Sequence, residues 1–123
     1  MSFATAINCM DGRVQEQTVT FLKKHFNVKY VDMITEPGPV KDLSGNGDKK
    51  ITESILSRSK ISIEAHNSVG IAVIAHYDCA GNPVDETIQK AQIAKSVEVL
   101  KKQFPDHKVI GLWIDESWAV KFS

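Results

Sequence analysis

Five residues stand out for what they could do together. Cys9-Met10-Asp11-Gly12-Arg13 closes one apolar run near the amino terminus, and His76-Tyr77-Asp78-Cys79 closes another in the middle of the chain. Two thiolates and an imidazole are donors of the kind zinc takes, and three protein donors leave a fourth position on the ion. Asp11, two residues after Cys9, is the natural occupant or neighbour of that position, and Arg13 is placed to hold its carboxylate in a forked, charge-assisted pair. With Asp11 held by Arg13, zinc is open to water and lowers its pKa from about 15.7 toward about 7, which gives hydroxide near neutral pH. With Asp11 on the ion, the site is closed. Two thiolates return negative charge to the metal, so the water is expected to be less acidic than on a three-histidine site and activity to favour alkaline pH.

Such a site forms only if the fold brings distant segments together. Residues 3–8 are small or apolar and read as a buried first strand, with Cys9 to Arg13 in its exit loop. Residues 14–26 place Val19, Leu22 and Phe26 at helical spacing, with Lys23, Lys24 and His25 in the last turn, where cations suit the helix dipole. Residues 29–34 form a β-branched and aromatic run of strand length. Pro37, Gly38 and Pro39, followed by a Gly, Ser, Asn and Asp-rich stretch, predict a long loop over 35–48. Residues 49–67 carry Ile51, Ile55, Ser59 and Ile63 at intervals of four, as an amphipathic helix does.

Residues 71–76 are apolar on both faces, the pattern of a central parallel strand. Asn82 as N-cap and Pro83 in the first turn predict the start of a third helix, whose apolar face runs from Ile88 to Phe104 and which Pro105 ends. Residues 109–115 are a fourth strand, and 118–122 add a short edge strand or hairpin. Strands alternating with helices predict an α/β fold: an open, mostly parallel sheet of four to five strands with helices on both faces. In the order 2-1-3-4 the first and third strands are neighbours. Their carboxyl ends, where ligands bind in such sheets, then bring Cys9 to His76 and Cys79.

The chain's 123 residues predict a single domain over 1–123, large enough to bury a core without disulfide or metal. Fifteen basic residues balance fifteen acidic ones, which argues against a nucleic-acid or anionic-membrane footprint. The longest strongly apolar run, 69–75, falls far short of the roughly 20 residues that span a bilayer. With no basic leader at the amino terminus and only two cysteines, the chain reads as cytoplasmic, with its thiols reduced. Trp113 and Trp118 are expected to pack at the sheet edge or at a subunit interface, and His25, His66 and His107 to serve near helix ends or in loops.

The two motifs, Cys9-Met10-Asp11-Gly12-Arg13 and His76-Tyr77-Asp78-Cys79-Ala80-Gly81, resemble those of the beta-class carbonic anhydrases. The resemblance implies a zinc ion on Cys9, His76 and Cys79, with Asp11 as gate and hydrogen-bond acceptor for zinc-bound hydroxide and Arg13 as its partner. It implies reversible hydration of carbon dioxide to bicarbonate, in a homodimer or higher homo-oligomer. It covers the family's core, without the amino-terminal helices that usually embrace the partner subunit. Gly12 stands where the family commonly has Ser, Ala80 where it has Gly, and Thr35-Glu36-Pro37-Gly38-Pro39 where it shows an Arg-Asn-Ala-Gly-Asn type segment. These departures touch the pocket rather than the ligands, so three other readings stay open. They are a zinc hydrolase of carbonyl sulfide or carbon disulfide, a non-catalytic zinc-binding protein closed by Asp11, and a metal-free redox pair of Cys9 and Cys79.

Overall fold

The computed structural model describes residues 2–123. Four strands, β1 (Phe3–Cys9), β2 (Tyr30–Glu36), β3 (Gly70–His76) and β4 (Lys108–Ile114), run parallel, and β5 (Val120–Phe122) returns antiparallel on β4. The sheet order is β2-β1-β3-β4-β5, so β1 and β3 are neighbours as the predicted order requires. β3 is buried at every position, which follows from its unbroken apolar sequence.

The helices α1 (Gln15–His25), α2 (Pro39–Leu43), α3 (Lys49–His66) and α4 (Glu86–Gln103) cover both faces. One face packs Ile7, Ile71, Val73 and Ala75 against Val40, Leu43, Ile55, Ile93 and Leu100 from α2, α3 and α4. The other packs Ala6, Ala72 and Ile74 against Val14 and Leu22 at α1, in a cluster that also contains Cys9 and Cys79. Alternation along β1 and β3 thus feeds two cores.

Three expectations need correction. The segment 35–48 is not one long loop: β2 continues to Glu36, and Pro39–Leu43 forms α2. Pro39 sets the first helical φ, while Val40 and Leu43, three residues apart, are buried against α3 and α4 and stabilise a helix too short to stand on propensity. The last long helix starts at Glu86 rather than near Asn82. Asp85 caps it by accepting from Ile88 N at 2.9 Å, whereas Asn82 is buried and donates Nδ2–H to Gln92 Oε1 at 2.7 Å. Finally, Trp113 lies in the core beneath α4, because β4 is paired on both sides and is no edge.

Candidate metal centre

Cys9 is the last residue of β1 and His76 the last of β3, so adjacency of the two strands carries both to the same end of the sheet. Asp78 takes a left-handed turn, φ 57°, between His76 and Cys79 and bends the chain back over the strand end. One donor atom from each of Cys9, His76 and Cys79 then lies within 4.8 Å of the others, and all three residues are buried. The two sulfurs are 3.9 Å apart. The loop after β2 braces the loop that carries Cys79. A Cβ on Gly81 would come within 2.6 Å of Pro37, and one on Gly38, φ 64°, within 2.6 Å of Asn82 Cβ. Lys41 Nζ donates to the Gly81 carbonyl at 2.9 Å.

The protonation pattern suits a cation. His76 Nδ1 is 2.6 Å from the Tyr77 carbonyl, which makes Nδ1–H the donor and leaves Nε2 with a lone pair. Nε2 is buried and has no hydrogen-bond partner. A buried acceptor without a donor is costly unless something electrophilic meets it, and the atoms around it are two sulfurs. The two thiols share a proton unequally. The hydrogen bond from Cys79 draws the Cys9 pKa down against its burial, helped by the amides of Asp11 and Gly38. The same bond, together with burial, pushes Cys79 up. The donor set therefore fits a soft or borderline divalent ion, zinc foremost.

Beside this cluster, Asp11 is held by Arg13 as the sequence predicts. Arg13 Nη2 donates to Asp11 Oδ2 at 2.7 Å and Nε to Oδ1 at 3.1 Å, while the Arg13 backbone N–H donates to Oδ1 at 2.8 Å. That hydrogen bonding holds the Asp11 carboxyl down at about 2. Asp11 is therefore an anion turned toward Arg13.

The profile of the family described as "Putative carbonic anhydrase" matches residues 1–122. The chain belongs to this carbonic anhydrase family. Its fold is shared by a beta-carbonic anhydrase, isoform I, of Trichomonas vaginalis, at 20% identity and TM-score 0.58 over 96% of this chain and 80% of that one. Two further structures are similar. A tetrameric beta-carbonic anhydrase of Sordaria macrospora matches at 12% identity and TM-score 0.64, covering 97% of this chain and 79% of that one. A beta-carbonic anhydrase of Aspergillus fumigatus matches at 11% identity and TM-score 0.55, covering 98% and 74%. No curated protein matches the chain by sequence.

Within this carbonic anhydrase family member, several residues that sequence reasoning did not single out support the cluster. Gln15 Nε2 donates to the carbonyls of Cys9 and Asp11, both at 2.7 Å, and ties the exit loop of β1 to α1. Gln89 Nε2 donates to the His76 carbonyl at 3.0 Å from beneath. Asp78 receives Arg13 Nη1 on its Oδ2 at 3.2 Å. Trp118, expected at an edge or interface, places its ring under Arg13, 4.4 Å from Cζ. Isolated glutamines and a tryptophan carry no spacing that marks them. His25, His66 and His107 stand apart from the cluster, at the ends of α1 and α3 and after α4.

Proposed function

We propose that the chain is a zinc-dependent carbonic anhydrase that hydrates carbon dioxide reversibly to bicarbonate and a proton, with the metal on Cys9, His76 and Cys79. The observation that carries this reading is the unpartnered, buried His76 Nε2 beside two cysteine sulfurs, in a chain of the carbonic anhydrase family. Zinc on such a donor set supplies Lewis acidity, ionising water near neutral pH into a nucleophile for the carbon of carbon dioxide.

The protein's part is positioning. Cys9 and Cys79 supply the anionic ligands, and His76, its tautomer fixed by the Tyr77 carbonyl, supplies the neutral one. Arg13 keeps Asp11 paired at 2.7 Å, so a metal held by Cys9, His76 and Cys79 would not take Asp11 as a ligand, and the Asp11 carboxylate would serve as a hydrogen-bond acceptor there. This disposition favours the open site over one closed by Asp11. We read residues 1–123 as one domain working as a homodimer or higher homo-oligomer. Met10 and Tyr77, exposed apolar side chains on the two motif loops, support an interface near the site. A cytoplasmic location accords with two free thiols. Among the described residues, no helix is long and apolar enough to cross a membrane.

The test is stopped-flow hydration of carbon dioxide at about pH 7 and about pH 9, on protein whose zinc content is measured in the same sample. Turnover that rises with pH and is absent in Cys79→Ser is the expected result. Full zinc occupancy without turnover at either pH would sink the carbon dioxide reading, and carbonyl sulfide and carbon disulfide would then be assayed on the same sample.

A further inference from the structure

The turn between β4 and β5 holds a bulky aromatic residue in a strained conformation. Trp118 has φ 60°, a left-handed backbone that large side chains seldom adopt. Asp115 forces it there. Asp115 Oδ1 accepts from the backbone N–H of Ser117 at 2.9 Å and of Ala119 at 3.1 Å, and its carbonyl accepts from Trp118 N at 2.9 Å. Its backbone N–H donates to the Ala119 carbonyl at 3.1 Å, and Lys121 Nζ reaches its Oδ2 at 2.7 Å. Strain over-determined by so many bonds directs attention to what the strained side chain touches.

It touches Arg13. The guanidinium carbon lies 4.4 Å from the indole centroid, and the rings of His76 and Tyr77 are 6.3 and 6.4 Å away. A guanidinium has an edge that donates hydrogen bonds and a face that stacks on aromatic rings. Here both are used without competition. The edge donates to Asp11 through Nε and Nη2, to Asp78 Oδ2 through Nη1, and to the Asp78 carbonyl through Nη2 at 3.1 Å. Its central carbon lies over the Trp118 ring. With the Arg13 side chain 47% exposed and that of Asp78 68%, water competes for the hydrogen bonds that orient the guanidinium. The ring is a further contact on the group.

We propose that Trp118 is a positioning residue for Arg13: by stacking on the guanidinium it fixes the plane in which Arg13 holds Asp11, and so keeps Asp11 turned away from the cluster of Cys9, His76 and Cys79. The stack itself stands on geometry alone, and its consequence at the cluster rests on the metal-site reading above. Trp118→Leu keeps apolar volume and removes the ring, while Trp118→Phe keeps a ring.

Two measurements on the full chain separate these levels. In metal-free protein, the NMR signal of Arg13 Nε–H is expected to carry a ring-current shift in wild type and in Trp118→Phe. Trp118→Leu loses that shift, and its Nε–H exchanges with solvent about two- to five-fold faster, the loss of an exposed cation-π contact. An unchanged shift and exchange rate in Trp118→Leu overturns the stack. In protein loaded with cobalt(II), the ligand-field absorption of Trp118→Leu is expected to differ from wild type as Asp11 reaches the ion. The double variant Trp118→Leu/Asp11→Ala, like Asp11→Ala alone, restores the wild-type spectrum. A Trp118→Leu spectrum identical to wild type overturns the positioning role while leaving the metal site standing. Wild-type protein that takes up no cobalt overturns the metal-site reading, and the proton measurement still decides the stack.

Discussion

Toward the amino ends of the strands, a line of polar side chains runs between β1, β2 and α3 from buried Thr5, Ser62 and Ser68 to half-buried Asp32 and exposed His66. Thr5 Oγ1 donates to Ser68 Oγ at 2.7 Å and lies 2.7 Å from Ser62 Oγ, and Ser68 Oγ donates to the Gly70 carbonyl at 3.0 Å. Ser62 Oγ donates to Asp32 Oδ2 at 2.7 Å, and His66 Nδ1 meets the same oxygen at 2.7 Å. Each hydroxyl in the line has a partner. At the carboxyl ends, Cys9, His76 and Cys79 are also buried, yet His76 Nε2 has none and two sulfurs crowd it. The two regions use similar burial for opposite ends. A closed hydrogen-bond network specifies how a helix docks on a sheet, whereas a buried, unpaired lone pair among thiols costs folding energy unless an ion takes it up.

The largest effect that would sharpen this contrast comes from a ligand. Cys79→Ser is expected to weaken metal binding by more than the about 10- to 100-fold that losing an outer hydrogen-bond partner of a ligand costs. Metal analysis after dialysis against a competing chelator reads the loss directly. Chelation of the wild type should empty the site and leave the far-ultraviolet circular dichroism unchanged, because two apolar cores hold the sheet without it. Collapse of the secondary structure on chelation would make the ion a structural one and erase the distinction between the two ends.

A smaller effect is expected at the other end. Ser62→Ala removes a donor from Asp32 and should lower stability by about 1–3 kcal/mol, read as a shift in the urea midpoint. Metal stoichiometry should stay as in wild type. If the variant lost metal, the network and the cluster would be one cooperative unit rather than two regions with separate roles.

The contrast also explains which parts of the molecule were legible in the sequence. β3 was readable because residues 70–75 are apolar throughout, and the parallel sheet followed because helices alternate with strands. Cys9, Asp11, Arg13, His76 and Cys79 were readable because their side-chain chemistry is rare and their short spacings are local. α2 was hidden because Pro37, Gly38, Gly45 and Gly47 dominate its surroundings, while only tertiary burial of Val40 and Leu43 makes it a helix. The start of α4 was misplaced because Asn82 and Asp85 are equally good caps in sequence, and only packing of Asn82 on Gln92 decides between them. The contact of Trp118 with Arg13 was hidden because it depends on a turn built by Asp115, three residues before the ring.

That turn supplies the smallest predicted effect, and one that divides the carboxyl end itself into parts. The Asp115 carboxyl sits below its ordinary value of 3.8, chiefly because Lys121 donates to it, with the Ala119 amide adding to the effect and burial opposing it. A carboxylate whose pKa is depressed on folding stabilises the protein above its unfolded pKa, and the contribution is lost as pH falls through the folded value. Wild type should therefore melt slightly higher than Lys121→Met near pH 6, and the two melting curves should converge as the pH drops below about 4, toward full protonation of Asp115. The difference should be small, since Lys121 is exposed and its pair is screened by solvent. A gap between the variants that persists at pH 2 would mean that Lys121 acts through packing rather than charge. A gap that vanishes with pH while metal content at pH 6 is equal in both would separate the salt bridge that braces the turn from the residues that hold the ion.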